Sequence, residues 1–543
     1  MRIIKLLFLL SVYFAFGQNF TKKDTLLGSN TAYRDFWDVQ RYDVKVEPSY
    51  EQKSLKGSNK ITFKITKSVR NPVFQIDLQQ PMKYDSIRSS FKIKSTRVDG
   101  NFIFLETKES FKKGQTHTLE IDFSGNPIIA KNAPWDGGWV FTQDEKGNPW
   151  MSVACEGIGA SVWLPIKEYW GDEPDMGMTL AITTPKDLVG VGNGKLVEWS
   201  VKKDKNIFTW EVKNPINSYN IVPYIGKYVH FSDEYSGKRG MLTLDYWVLD
   251  YNLEKAKNQF KQVKPMLKAF EHWFGGYPFY KDGYKLVESP YLGMEHQSNV
   301  AYGNGYQNGY YGRDLSGTGV GLYWDFIIVH ESGHEWFGNN ITAQDKADMW
   351  IHEAFTTYSE VLFTESYMDK NAANTYIKGL RKSIMNDEPI IGVYGVRKTG
   401  SMDQYIKGAN MIHTIRQVIN NDEKFRQILL GMNTDFYHKI VTSKQVEDYI
   451  SKKAGIDFSL VFDQYLRTTK IPQLEYEQKG NQLKFRWNNT IKNFRMPVKL
   501  KSHSTHIAPT QEWQTITLAN DKAVEIDDNY YMGIFFIILF LFS

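Results

Sequence analysis

The chain of 543 residues contains a single cysteine, Cys155, so no intrachain disulfide can form and the fold must be held by its cores. A catalytic thiol would need a depressed pKa and a base close by. The neighbours Val153, Ala154 and Gly157 read instead as the setting of a small packed residue. Neither sign of charge is in excess: 66 Lys and Arg face 61 Asp and Glu, leaving a net charge of +5. No basic run with interleaved aromatics occurs, so nucleic acid is not an expected partner. Long apolar runs are missing too, which excludes a polytopic membrane protein. There is no internal repeat and no long Pro/Ser-rich linker. Hydrophobic residues at 42% and charged residues at 23% describe an ordinary globular chain, long enough for about three or four domains. Aromatics are plentiful, with 33 Phe, 32 Tyr and 15 Trp, and such residues favour strands and binding clefts.

The two short apolar stretches lie at the ends. Residues 1–5 carry Arg2 and Lys5, residues 6–16 are almost wholly apolar, and Gly17-Gln18 follows. That order of charge, apolar run and small residues is the pattern of a secretory signal peptide cut before Gln18, with Ala15 and Gly17 at the recognition positions. Export to the periplasm or the exterior of a bacterial cell is the expectation. No cysteine follows the run, so a lipid-anchored start is not expected. Residues 531–542 are nearly all apolar, too few for a spanning helix. A final core strand, an interfacial anchor and a tail outside the folded domain all remain open.

Between the ends the hydrophobic period changes twice. From Arg41 to about Tyr251, segments such as residues 60–66 and 116–123 alternate apolar and polar residues, punctuated by Asp99-Gly100, Gly125-Asn126 and Gly192-Asn193-Gly194. This predicts a large β domain of sandwich or saddle form. At Asn252 the period becomes helical: Ala256, Phe260, Val263, Leu267 and Phe270 predict one amphipathic helix over 253–274. Further helices are expected over 323–337, 353–367 and 404–419 and from Phe425 to about Arg467. Alternation returns from Ile471 to about Tyr530. The expected organisation is a multidomain α+β chain: signal peptide 1–17, N-terminal β domain 18–251, mainly helical catalytic domain 252–470, small C-terminal β domain 471–531, and the apolar tail 532–543.

The chemistry concentrates in residues 325–338, which contain His330-Glu331-Ser332-Gly333-His334. Four residues of helix advance about 400°, so the two imidazoles lie within roughly 40° of each other on one face. Both ring nitrogens can then reach one ion, while Glu331 projects about 100° away and stands beside the metal instead of on it. An ordinary buried helix with hydrogen-bonded histidines is the plainer alternative. A third ligand argues against it: eighteen residues separate His334 from Glu353, which opens a second apolar helix. Two His and one Glu leave the fourth position of a tetrahedral Zn²⁺ open to water. One zinc ion per chain is therefore expected, held by His330, His334 and Glu353.

With this ligand set the sequence resembles the M1 family of zinc aminopeptidases, the group that includes leukotriene A4 hydrolase. Trp336-Phe337-Gly338-Asn339 and Asp348-Met349-Trp350 are similar to the family's segments around the site. Thermolysin-type endopeptidases share the ligand set with a slightly different gap. A second motif discriminates better: Leu292-Gly293-Met294-Glu295-His296 resembles the family's G-x-M-E-N exopeptidase motif, with Leu292 for the first Gly and His296 for the Asn. The resemblance implies that Gly293 and Met294 line the substrate and that Glu295 captures its free α-amino group, a charge-assisted hydrogen bond. Ala154-Cys155-Glu156 and residues 171–175 resemble two further family segments, with Ile166–Trp170 as an insertion-like departure; Glu156 matches a second amine-binding position. Tyr405-Ile406-Lys407-Gly408 resembles the family's Y-x-K-G, whose tyrosine donates to the oxyanion.

The resemblance covers about residues 30–530 and implies an N-terminal β saddle, a thermolysin-like catalytic domain and a small β domain. It implies Glu331 as general base and then acid, Tyr405 as the oxyanion donor, and Glu295 with Glu156 as a ruler that admits one residue past the metal. The expected activity is removal of single residues from peptides with a free N-terminus. The rival readings are a thermolysin-type endopeptidase, which would lack the amine anchor, and a non-catalytic zinc-protein scaffold, which would lack Glu331 or Tyr405. A lipid epoxide hydrolase is a further relative, but nothing in the sequence specifies its pocket.

Overall fold

A computed structural model describes residues 19–536. The expected leader, and the tail beyond Phe536, lie outside the described residues.

Alternating side chains build the first unit. A seven-stranded sheet runs in the order Lys195–Lys202, Lys205–Val212, Met178–Pro185, Trp37–Ser49, Ser54–Ile65, Thr116–Gly125, Lys83–Ser89. Only Trp37–Ser49 and Met178–Pro185 pair in parallel. The strand Lys205–Val212 alternates strictly between half-buried and buried residues, as a sheet with one face on a core requires. Smaller sheets complete the unit, among them Gly138–Gln143, Pro149–Ala154, Tyr224–Gly226 and Val189–Val191. Cys155 follows Pro149–Ala154, is fully buried, and has its thiol pushed up by burial, consistent with packing and not with nucleophilic chemistry.

The expected boundary at 251/252 lies just after a hairpin that joins the next sheet. Tyr228–Gly237 and Gly240–Leu249 form a hairpin, and the second of these strands pairs in parallel with Tyr284–Glu288. The result is a five-stranded sheet that ends in Val300–Tyr302 and the edge strand Gly293–Met294. Period-two alternation marks a strand without saying which sheet it joins, so this assignment was not visible in the sequence. Both faces of the sheet are covered. Leu286, Val300 and Tyr302 pack into the core of the helices, whereas Val287, Met294 and Ala301 pack into the core of the N-terminal strands.

The long helix expected over 253–274 is broken into Leu253–Gln259, a 3₁₀ turn at Phe260–Gln262, and Val263–Phe274. Pro265 explains the break, because its ring would collide with the carbonyl four residues earlier and it has no N–H to donate. The remaining helices are Phe326–Gly333, Trp350–Tyr367, Lys370–Leu380, Ile406–Ile419, Asp422–Asp435, Ser443–Ala454 and Ser459–Arg467. The first is shorter than the expected 323–337 and ends where His334 begins the turn into Trp336-Phe337-Gly338. Tyr405 lies at the N-cap of its helix, not within it.

The third unit is a four-stranded sheet in the order Gln514–Thr517, Gln482–Asn488, Gln473–Lys479, Gly533–Phe536. The start of the apolar tail is thus an edge strand, with Ile534, Phe535 and Phe536 exposed. Leu474, Leu483, Phe485 and Trp487 join the same continuous core as the catalytic helices. The order of a β-rich unit, a helical unit and a β-rich unit is the one expected.

Candidate active site

The helix Phe326–Gly333 is placed by its cap. Asp325 Oδ1 accepts from the backbone N–H of Ile327 and Ile328, as an N-cap should. The same fully buried carboxylate accepts from Tyr302 Oη and Gln259 Nε2, each at 2.7 Å, and from Asn304 Nδ2 at 2.9 Å. Burial raises its pKa to about 6 against these hydrogen bonds. The helix start is therefore tied to the five-stranded sheet and to the end of the helix Leu253–Gln259.

One turn apart, His330 and His334 turn their Nε2 atoms toward Glu353, whose Oε2 lies 3.9 Å from the first and 3.5 Å from the second. Their Nδ1 atoms are occupied behind: His330 by Glu360 Oε1 at 2.7 Å, His334 by the Phe337 carbonyl at 3.0 Å and Thr356 Oγ1 at 3.1 Å. A carboxylate or carbonyl on one ring nitrogen, with the other left free, is how metal-binding imidazoles are oriented. Glu353 Oε2 is buried without a hydrogen-bond partner. Donor atoms of all three residues lie within 4.8 Å of one another, a spread that ligands about 2.0–2.2 Å from one tetrahedral ion can adopt. The three expected ligands therefore fit a zinc ion.

Around them the other expected residues converge, and all nine line one cleft of about 560 Å³. Donor atoms of Glu295, Glu331 and His334 also lie within 4.8 Å of one another. Glu295 accepts from Tyr219 Oη at 2.9 Å, and its backbone carbonyl accepts from Asn339 Nδ2 at 2.8 Å. Gly293 needs to be small: a Cβ there would stand 2.9 Å from both Glu331 Oε1 and Ile327 Cδ1. Glu156 is half-buried on the opposite wall, and its backbone carbonyl accepts from Lys346 Nζ. The Tyr405 ring lies 6.2 Å from the His330 ring at 23°. Gly408 sets that approach, because its ideal Cβ would meet the Ala354 Cβ at 2.6 Å, next to Glu353.

Electrostatically the cleft is short of positive charge. Burial, then Glu295, drives the Glu331 carboxyl well above its ordinary range, and burial raises Glu295 and Glu156 as well. Burial opposes a charge on His334, yet Glu353, Glu295 and Glu331 lift it to about 10, while burial holds His330 at about 3. Four carboxylates sharing so small a space call for cations, which a divalent metal and a substrate ammonium would supply.

Sequence reasoning missed Glu360, Tyr219 and Lys346, and named Asn339 only as part of a segment near the site. Glu360 had a signal, since it stands seven residues after Glu353 and so on the same helical face. The others reach the site only through tertiary folding. The departures from the expected motifs also find places. His296 packs in the core with Nδ1 2.5 Å from Tyr224 Oη and does not line the cleft. In the insertion, Trp170 stacks on Tyr219 at 4.8 Å and 4°, backing the hydroxyl that holds Glu295. Lys346 Nζ sits 4.7 Å above the Trp170 ring.

Comparison with known proteins follows the same division. Residues 39–220 match the family described as Peptidase M1 N-terminal domain, and residues 259–465 match the Peptidase family M1 domain. "Probable aminopeptidase 2" of Sulfurisphaera tokodaii is 19% identical, over 90% of this chain and 62% of its own length. "Leucyl aminopeptidase" of Saccharolobus solfataricus is 21% identical, over 82% of this chain and 55% of its own. The chain thus spans about three fifths of the length of the curated relatives it matches. The solved M1 zinc metallopeptidase of Deinococcus radiodurans superposes with a TM-score of 0.68 at 18% identity, over 81% of this chain and 96% of that one. A variant of it bound to a Tyr-Ser-Ala substrate superposes at 0.67, also at 18% identity, over 82% and 97%.

Proposed function

The chain belongs to peptidase family M1, and on that premise we propose that it is a zinc aminopeptidase that removes single residues from the free N-terminus of peptides. The observation that carries this reading is the closeness of Glu295 to Glu331 and His334, with donor atoms within 4.8 Å. An ammonium held at Glu295 leaves room for one residue between itself and the hydrolytic centre.

His330, His334 and Glu353 would hold the zinc ion, which when bound polarises the scissile carbonyl and acidifies the attacking water. Glu295 and Glu156 bind the substrate's ammonium from two walls of the cleft. The edge strand Gly293–Met294 has an open side, so its backbone can pair with an extended peptide. Glu331 takes the proton of the attacking water and delivers it to the departing amine nitrogen as the C–N bond breaks. Tyr405 donates its hydroxyl proton to the oxygen that gains negative charge. The buried walls exclude bulk water and strengthen each of these interactions.

Export belongs to the same proposal, supported by the charged, apolar and small-residue order of residues 1–17. N-terminal sequencing of protein from whole cells would then begin at Gln18; retention of Met1 would overturn it. The activity is tested with aminoacyl-p-nitroanilides, free and N-acetylated, with and without a zinc chelator. Chelator-sensitive cleavage of the free set alone is expected. Cleavage of the acetylated set would reject the amine anchor in favour of an endopeptidase.

A further inference from the structure

The two ends of the cleft differ in chemistry, and the helix Phe326–Gly333 gives the difference a direction. At its C-terminal end His334 faces Glu295 and, beyond it, Tyr219 and Glu156 of the N-terminal unit with Lys346 and Arg397 of the catalytic one. Three cleft-lining charges outside the metal set, Glu156, Lys346 and Arg397, gather there. At its N-terminal end, one turn before His330, Phe326 stacks on the His330 ring at 5.0 Å and 14°. Tyr310 packs edge-on against Phe326 at 5.4 Å, and burial raises the pKa of its hydroxyl.

The contacts of His330 continue this end outward. Glu360, which holds its Nδ1, accepts from Tyr376 Oη at 2.6 Å, and Leu380 follows one turn along the same helix. The loop carrying Leu315 packs on that helix, where a Cβ on Gly379 would touch Ser316 and Thr318. Phe326, Tyr310, Leu315, Leu380, Met402 and Ile406 all line the cleft. Leu315 is 38% exposed and Met402 57%, so this wall is open to a ligand and not sealed in the core. Glu360 is the carboxylate on this side, and it is already committed to His330 and Tyr376.

A peptide whose ammonium sits at Glu295 and Glu156 passes the hydrolytic centre and must continue toward Phe326. We propose that this wall receives the side chain of the second residue, the one that becomes the new N-terminus, and that the enzyme selects peptides with a large apolar residue there. The proposal rests on the aminopeptidase reading above and adds a second-position specificity to it. A charged second residue would be desolvated against these apolar side chains, whereas leucine or phenylalanine would bury apolar area in contact with Phe326 and Leu315.

The test uses the zinc-loaded full chain and tripeptides that share a first and third residue, with Leu, Phe, Asp or Lys second, each also N-acetylated. Preference for Leu or Phe over Asp or Lys in kcat/KM should be at least about tenfold. It should shrink several-fold in Leu315→Ser and in Phe326→Ala. A separate readout is calorimetric binding of the uncut tripeptides to the Glu331→Gln variant, where the same order of affinities is expected. Equal cleavage of the four free tripeptides, or a preference that both variants leave unchanged, would overturn the proposal while leaving the aminopeptidase reading intact. Cleavage of the acetylated peptides would instead remove the reading on which the direction of binding depends, and the proposal with it.

Discussion

Glu360 shows what a single residue can do without a motif to announce it. Its carboxylate holds His330 Nδ1 at 2.7 Å and is itself held by Tyr376. Replacing it by Gln should weaken metal affinity about 10–100-fold, read by competition with a chromogenic chelator. Glu331→Gln should behave oppositely, abolishing turnover while the protein retains its zinc by metal analysis. Tyr405→Phe should lower kcat about 10²–10³-fold by removing one oxyanion donor. The positions of His330, His334 and Glu331 were legible because helix geometry converts short spacings into shared faces, whereas Tyr405 was named only through a family resemblance. Of the supporting residues only Glu360 had a local signal, its seven-residue spacing from Glu353. Tyr219 and Glu295 are 76 positions apart, and Lys346 meets the Glu156 carbonyl across 190, separations over which no periodicity speaks.

Among the elements, the helix Phe326–Gly333 depends on its first anchor. Asp325→Ala would remove a cap worth about 0.5–2 kcal/mol. It would also strand the buried Tyr302 hydroxyl, at about 1–3 kcal/mol, and take one acceptor each from Gln259 and Asn304, which keep others. A loss of several kcal/mol is expected in denaturant unfolding, with Asp325→Asn recovering part of it. At this scale the sequence was read correctly wherever periodicity was local and failed where a neighbour decided. The Tyr228–Leu249 hairpin was recognised as β, but its pairing with Tyr284–Glu288 had no local sign, and Pro265 was passed over inside an otherwise convincing helical pattern. The packing of Gly408 against Ala354, which brings Tyr405 to the site, had no signature beyond the glycine itself.

For the whole molecule, the order of the three units could be read from two changes of hydrophobic period, but the sharing of cores could not. Because Leu474, Leu483, Phe485 and Trp487 continue the core of the catalytic helices, the third unit should unfold together with them in a single calorimetric transition. A polar clasp adds to that joint: Asp528 accepts from Lys378 of the helical unit at 2.7 Å and from Lys501 of its own at 2.6 Å. Partial burial works against its charge, but the two lysines outweigh it and hold the carboxyl at about 2, below its ordinary 3.8. A carboxyl with a depressed folded pKa stabilises above its unfolded value and loses that contribution as pH falls through the folded one. The difference in Tm between wild type and Asp528→Asn should therefore be present at pH 6 and should narrow between about pH 4 and 2. It should stay small throughout, because exposed pairs contribute only about 0.2–1 kcal/mol.

The five-stranded sheet is a partition with a separate core on each face. Glu295 stands on that partition, whereas Glu156 follows a strand whose residues pack only into the N-terminal core. Met294 and Ala301 reach from that partition into the same core as the strand before Glu156, so a substitution that loosens the N-terminal core would be felt at Glu295 across it.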